Sequence, residues 1–359
     1  MTAPSREALW ASLVGRGLAS GELPARSEER SPWYVRVMLG IAGWIGALFL
    51  LGFVGSMFEF ILRSAFASIA AGALICAGAA SIFRFRPKGD FAAQFGFAVS
   101  LAGQVLICYG FAKWFGRKLW PTALLMAAVQ ATLFFFVSNF AHRVWAAWSG
   151  AFAAALALGD LRLYPLTPAL VTAVFAWLWI REFDHGAKGA LLRAGGYGLA
   201  LASMLVTVMH GELLASWLFE RSSGPLGGEI GVWIGSALSA AVLLWAVVLL
   251  LEREGVAPSA GPGAIALVGA AILGLASFKA PGVGPAAAIL VVGYANGNRV
   301  LAGLGVMALL GYLSHYYYVL HATLLEKSIL LACVGLALLA ARLALHRWWP
   351  QQTKEAPRA

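Results

Sequence analysis

The chain has 359 residues, of which 61% are apolar and only 12% are charged, and its formal net charge is +10. Soluble domains are about 45–50% apolar and about 25% charged, and a soluble core could not bury so much apolar surface, so the composition excludes a large soluble domain. The basic residues are scattered between apolar runs and form no basic helix, which favours the positive-inside rule of membrane proteins over nucleic-acid binding.

Residues 1–34 form a predicted cytoplasmic N-terminal segment. Leu9, Trp10, Leu13 and Val14 recur at helical spacing, which predicts a short amphipathic helix on the membrane surface or against the bundle. A frayed tail is the alternative. The segment lacks the apolar stretch of a cleavable signal peptide, so we expect the first span to act as an uncleaved anchor.

Residues 35–346 are a succession of apolar runs, which we interpret as a transmembrane helical domain followed by a cytoplasmic tail at 347–359. Lipid offers no partner to an unpaired backbone group, so the runs must be helices and not strands. The predicted fold is an all-α polytopic bundle of about twelve spans. The spans are 35–58, 64–83, 91–112, 119–137, 144–159, 166–180, 194–213, 230–251, 263–279, 285–295, 299–320 and 324–346.

The number of spans has an alternative, because the run 285–295 could cover only about 16 Å as a helix, roughly half of the hydrocarbon thickness. Ten or eleven full spans with a re-entrant hairpin would also explain the pattern. With the N-terminus inside, 18 of the 26 lysines and arginines fall on the cytoplasmic side, which predicts that both termini are cytoplasmic. The basic loop 113–118 is the largest exception.

Several residues have structural interpretations. Small residues are expected to let helices approach closely, and glutamines to bond between helices. Glu59 and Arg63 are spaced for an ion pair. The small residues expected at close helix contacts are Gly40, Gly43, Gly72–Gly78 and Gly303, and the glutamines expected to bond between helices are Gln94, Gln104 and Gln130. Arg181, Glu182, Asp184 and His185 are interpreted as a solvated loop.

Polar residues at bilayer depth are functional candidates, because burying them in lipid is costly. The turn Asn296-Gly297-Asn298-Arg299 borders the short tenth span, where transporter sites tend to lie. His210 and Glu212 lie near the outer end of the seventh span, on different helix faces. The run 312–321 is either an interfacial aromatic belt or a polar pocket. The candidate binding residues are Asn296, Asn298, Arg299, Tyr312, His315, Tyr317, His321, His210 and Glu212.

The sequence predicts no catalytic set, metal site or cofactor. It has no HExxH, GxSxG, P-loop or CxxC motif, which lowers the odds of an enzyme without excluding one. Cys76, Cys108 and Cys333 lie singly in apolar runs and are expected to be small apolar core residues. Thr323 and Glu326 match a capping box, which predicts the start of the last helix.

The C-terminal third carries a resemblance, strongest over residues 280–340. The residues that carry it are Pro281-Gly-Val-Gly, Gly293, Gly297-Asn298-Arg299-x-Leu301-x-Gly303-Leu304-Gly305 and Tyr316-Tyr317-Tyr318-x-Leu320-x-x-Thr323-Leu324-Leu325-x-Lys327-Ser328. Here the chain resembles a family of bacterial polytopic membrane proteins that is a domain of unknown function, typically encoded beside a smaller membrane-anchored protein of the GDYxxLxY type. The resemblance implies a bacterial inner-membrane location and a membrane-anchored protein partner.

Three functional hypotheses follow. The first is a transporter-like protein for a small or lipid-linked solute, which needs a polar cavity at mid-depth. The second is a non-catalytic scaffold or subunit for a neighbouring membrane-anchored protein. The third is a membrane-embedded enzyme, which needs two titratable groups within hydrogen-bond reach at one membrane face.

Overall fold

The computed structural model describes residues 6–17, 20–21, 23, 59–85, 90–116, 118–182, 189–209, 228–259 and 261–319, with isolated positions between 34 and 56 and at 325 and 328. Most of these residues are helical and none lies in a strand, which confirms the all-α prediction for this part of the chain. The helices are α1 Arg6–Gly15, α2 Glu59–Arg63, α3 Ala65–Arg84, α4 Asp90–Phe115, α5 Leu119–Phe136, α6 Phe140–Asp160, α7 Thr167–Ile180, α8 Gly189–Met209, α9 Gly228–Arg253, α10 Gly261–Ala276, α11 Val283–Ala295 and α12 Arg299–Val319.

Within the described ranges, five helices are long and apolar enough to cross a membrane. They are Ala65–Arg84, Ala92–Phe115, Leu119–Phe136, Gly189–Val208 and Ile230–Arg253. Shorter apolar helices include one between the third and fourth of these and three after the fifth, among them α11, where the sequence predicts its shortest span. The total of about twelve spans, the orientation, and the division at residues 34 and 346 stay predictions.

The hydrophobic core of the described residues includes two packed groups of helices. One group buries Cys76, Phe83, Ile107 and Leu133 between α3, α4 and α5. The other is formed by α7, α8, α9, α11 and α12, where the buried side chains include Phe175, Trp179, Ala200, Ala246, Leu250, Ile289 and Leu301. Helix α6 contacts both α5 and α8, so it joins the two groups.

The contact between α3 and α4 depends on two glycines. A Cβ added at Gly72 would lie 2.6 Å from the carbonyl oxygen of Gly103, and one added at Gly103 would lie 2.6 Å from Cys76 Sγ. Real atoms do not approach so closely, so only glycine permits this packing distance. The prediction of close approach is confirmed at Gly72.

The described residues show no such approach at Gly78 and Gly303, where an added Cβ would meet none of their atoms within 4 Å. Gly305 has that role on α12, since its Cβ would lie 2.5 Å from the backbone nitrogen of Leu290. Residues two apart lie on different faces of a helix, and spacing alone does not show which face meets the neighbour. Gly40 and Gly43 lie outside the described residues.

Side chains of distant residues satisfy the backbone at several helix ends. Lys113 Nζ donates to the carbonyl oxygens of Leu62 and Arg63, at 2.7 and 2.9 Å, at the C-terminal end of α2. A cation is favoured there because the free carbonyls of a helix end carry partial negative charge. Asp160 Oδ2 accepts from the backbone nitrogen of Trp120 at 2.8 Å, which satisfies a free amide at the start of α5. Lys113, the first residue of the predicted basic loop 113–118, lies in the last turn of α4 and bonds to the end of α2.

The predicted ion pair of Glu59 and Arg63 is confirmed at 3.2 Å, with both side chains exposed. The loop after α7 differs from the prediction. Glu182 is buried, and its Oε1 accepts from Arg193 Nε at 3.1 Å. The interpretation of Glu182 as a solvated residue is wrong because its partner comes from the next helix, α8, eleven residues later.

Candidate functional site

Four polar side chains from three neighbouring helices are buried together in otherwise apolar surroundings. Ser100 and Gln104 are one turn apart on α4 and share a face, Gln130 lies on α5, and His142 lies in the first turn of α6. Their exposed fractions are 1%, 4%, 3% and 0%. With Trp145 of α6 they form what we call the Gln–His network.

Hydrogen bonds link the network into a chain. The Ser100 hydroxyl lies 2.9 Å from His142 Nε2 and accepts from Gln104 Nε2 at 3.1 Å. Gln104 Oε1 accepts twice, from Gln130 Nε2 at 2.8 Å and from the indole nitrogen of Trp145 at 3.1 Å. The predicted interhelical bonding of Gln104 and Gln130 is therefore confirmed.

Local structure holds His142 in place at the start of α6. Asn139 precedes the helix in extended conformation, and its Oδ1 accepts from the His142 backbone nitrogen at 3.0 Å, as an N-cap does. The imidazole ring stands edge-on to Phe83 and Phe97, each at 5.7 Å between ring centroids. The neighbouring Arg143 points its guanidinium to the carbonyl oxygen of Phe134 at 3.1 Å. The imidazole ring is therefore packed between the aromatic rings of Phe83 and Phe97.

Two polar atoms of the network have no hydrogen-bond partner among the described residues: Gln130 Oε1 and His142 Nδ1. Leaving a buried polar atom unpaired costs about 1–3 kcal/mol. Gln130 lies six residues, or about 9 Å, before the end of α5. Two such atoms in one bonded network make it a candidate binding site, because a polar ligand could supply the missing partners.

Among the described residues, the other buried atoms without a hydrogen-bond partner do not belong to a network of bonded side chains. The indole nitrogen of Trp179 is also buried without a partner, but a Cβ at Gly196 would collide with it, so the helix backbone fills the space in front of it. The hydroxyls of Thr122 and Ser236 are single groups, and no other side chain is bonded to them within the described ranges. Among the unpartnered atoms of the described residues, those of the Gln–His network belong to bonded side chains from three helices.

Asn296, the first of the predicted binding residues, lies at the end of α11, and its side chain bonds to two other helices. Its Oδ1 accepts from Arg253 Nη1 at 2.6 Å, and its Nδ2 donates to the carbonyl oxygen of Trp179 at 3.1 Å. Arg253 also donates to the carbonyl oxygen of Ala295 at 3.1 Å. Asn296 thereby ties α7 and α9 to the end of α11.

Asn298 has a similar role. It bonds the Tyr197 hydroxyl of α8 at 2.8 Å, and its Oδ1 accepts from the backbone nitrogen of Leu301 at 3.1 Å, which caps α12. Arg299 is exposed. The amide groups of this turn are therefore engaged in helix ends and interhelical bonds.

The other predicted site residues lie far from that turn. The buried Tyr312 hydroxyl donates to the carbonyl oxygen of Met204 at 2.5 Å. His315 is exposed and lies sixteen residues after Arg299, about 24 Å along α12. The described residues do not bring the turn and His315 into one site. Beyond what the structure describes are the side chain of Tyr317, the residues His210, Glu212 and His321, and the Thr323–Glu326 capping box.

The part of the chain that is described contains no group of three or more His, Cys, Asp and Glu residues that could hold a metal ion. Cys76 is buried, as predicted, whereas Cys108 is exposed, so its assignment to the core is wrong. The sequence analysis did not identify Ser100, His142 or Trp145, and it gave Gln104 and Gln130 only a structural role. A signal for this region was present in the i, i+4 pair Ser100 and Gln104, which marks a polar face inside an apolar run.

Comparison with known proteins gives one match. A family model described as "Domain of unknown function (DUF4401)" matches residues 32–348. No curated protein and no solved structure matches the chain. The resemblance to a membrane-protein family of unknown function is thereby confirmed, while the neighbouring membrane-anchored protein stays a prediction.

Proposed function

The chain belongs to the DUF4401 family, and we propose that it is a multi-pass protein of the bacterial inner membrane that moves a small polar solute through the Gln–His network. One observation carries the proposal: Gln130 Oε1 and His142 Nδ1 are buried in apolar helices, bonded into one network and left without partners of their own. Intramembrane polar groups are costly and tend to mark the pathways of solutes and protons.

The setting of the network supports this role. It lies between α4, α5 and α6, and the first two of these are among the five helices that are long and apolar enough to cross a membrane. Ser100, Gln104 and Gln130 are buried among apolar side chains, where hydrogen-bonding groups are scarce. A polar solute entering this part of the bundle would find its bonding partners there.

The experiment is a flux measurement on the purified full chain in lipid vesicles, with a panel of small polar solutes and ions. We expect flux of at least one solute above that of protein-free vesicles, and a lower flux in Gln130→Met, which keeps the side-chain size and removes the amide. Thr132→Val on the same helix is the matched control, because Thr132 is exposed and its hydroxyl bonds only to its own helix at Ala128. Equal flux in both variants would contradict the proposal.

A scaffold for a membrane-anchored protein is the second candidate. Asn296, Asn298 and Tyr312 bond to other helices of the bundle, which supports a structural role for these predicted binding residues in place of solute binding. Purification in mild detergent from cells at native expression would test the scaffold. Co-purification of the small membrane-anchored protein encoded nearby is expected, and recovery of the chain alone would contradict it.

The enzyme hypothesis has less support from the same region. An enzyme needs two titratable groups within reach of each other at one face. The Gln–His network has one titratable group, His142. We therefore do not propose a reaction.

A further inference from the structure

The direction of the hydrogen bonds in the network follows from a single group. The indole nitrogen of Trp145 can only donate, so the Gln104 atom that it faces at 3.1 Å must be the carbonyl oxygen. Gln130 lies 2.8 Å from that same oxygen and must therefore present its amino group to it. The remaining atom of the Gln130 amide, which has no partner among the described residues, is then an acceptor.

The other end of the chain is determined in the same way. With its oxygen directed at Trp145, Gln104 presents its amino group to the Ser100 hydroxyl at 3.1 Å. A serine hydroxyl has one proton to donate, and the other side-chain partner of Ser100 is His142 Nε2 at 2.9 Å. Ser100 donates to Nε2, so the neutral imidazole carries its proton on Nδ1.

We infer that Trp145 sets the direction of every hydrogen bond in the network. This leaves one acceptor, Gln130 Oε1, and one donor, His142 Nδ1, for a neutral ligand with a hydroxyl group, either water or a small polyol. This inference deepens the proposed function and rests on it for the ligand. An ion would be poorly served, since no carboxylate, lysine or arginine takes part in the network as described and the protonated Nδ1 offers no lone pair to a metal.

The first experiment measures the tautomer of His142 by nitrogen-15 NMR of histidine-labelled full-length protein in lipid nanodiscs, with His142→Asn used for assignment. The expected wild-type result is a neutral ring protonated on Nδ1. Trp145→Phe removes the donor that orients Gln104, so a mixture of tautomers is expected, whereas Trp114→Phe, at an exposed position of α4, should leave the spectrum unchanged.

A ring protonated on Nε2, or a charged imidazolium at neutral pH, would overturn the inference. An unchanged tautomer in Trp145→Phe would overturn the role of Trp145. If Trp145→Phe fails to fold, Ser100→Ala tests the direction of the bond to His142: Nε2 loses its donor, and a shift of the proton toward Nε2 is expected. An unchanged tautomer in Ser100→Ala would overturn the inferred bonding pattern.

The second experiment measures the ligand class in vesicles, with separate recordings for water, glycerol, potassium and protons. Flux of water or of glycerol is expected, reduced about five- to tenfold in Gln130→Met, the factor that corresponds to one lost hydrogen bond. Water flux alone identifies water as the ligand, and glycerol flux identifies a polyol.

The failures of the two proposals are distinguishable. Potassium or proton flux that depends on Gln130, without water or glycerol flux, would overturn the neutral ligand and leave transport standing. No flux of any species, together with the expected tautomer, would contradict transport and the ligand but support the bonding pattern.

Discussion

Asn296 offers a test of whether its polar groups stabilise the bundle. Asn296→Leu keeps the size of the side chain and removes two bonds, one from Arg253 and one to the carbonyl oxygen of Trp179. Arg253 keeps its bond to the carbonyl oxygen of Ala295, so the substitution does not leave the guanidinium unpaired. The carbonyl of Trp179 loses the Asn296 donor.

The expected loss of unfolding free energy can be bounded. A bond to a charged group contributes about 1.5–3 kcal/mol in soluble proteins. Interhelical bonds in membrane bundles are weaker, averaging about 0.6 kcal/mol with a maximum near 1.7 kcal/mol. The Arg253 bond is short and charged, which favours the upper part of the membrane range. We expect about 2 kcal/mol for both bonds together, and about 1 kcal/mol of coupling between Asn296→Leu and Arg253→Met.

The measurement is equilibrium unfolding in mixed micelles, followed by circular dichroism, for the two single variants and the double variant. Tyr294→Leu is the control, because Tyr294 lies two residues earlier and its side chain is 83% exposed. A stability of Asn296→Leu equal to that of the control, or additive effects of the two substitutions, would refute the view that this bond stabilises the bundle.

Three further predictions concern other contacts. Gly103→Val should lower stability by about 1–3 kcal/mol through overpacking, whereas Gly78→Val, whose added Cβ meets no atom of the described residues, should not; comparing the two by thermal unfolding checks the packing of α3 on α4. Tyr312→Phe should cost about 0.5–1.5 kcal/mol in the same assay, because it removes the hydroxyl that donates to the Met204 carbonyl, and a neutral result would show that the hydroxyl contributes nothing. Glu59→Gln should change the unfolding midpoint by less than the error of measurement at any salt concentration, because its ion pair is exposed, and a salt-dependent shift would contradict this.

The sequence predicted the helices well because the physics that forms them is local. Lipid as a solvent requires each apolar run to satisfy its backbone internally, so the runs such as 119–137 and 230–251 correspond to α5 and α9 within a few residues. Helix ends were less certain, since α8 begins at Gly189, five residues before the predicted span.

The candidate site was less predictable because its geometry depends on which helices are neighbours. Asn296 attracted attention as a polar residue beside a short helix, but its role follows from Arg253, 43 residues away. His142 stands at the start of a helix and next to an arginine, which suggests an exposed position. Only the packing of α6 against α4 and α5 buries its ring and brings Ser100 within 2.9 Å.

The bond between Lys113 and the end of α2 also constrains membrane topology. Its ammonium group can reach the carbonyl oxygens of Leu62 and Arg63 only if residues 62, 63 and 113 face the same compartment. The bond from Arg253 to Asn296 gives the same condition for the loops after α9 and α11. Single cysteines can be introduced at the two residues that each bond joins and treated with a thiol reagent that does not cross the membrane. Both cysteines of a pair should react, or both should be protected. The two loops of each pair are then assigned to the same side of the membrane before the absolute orientation is known.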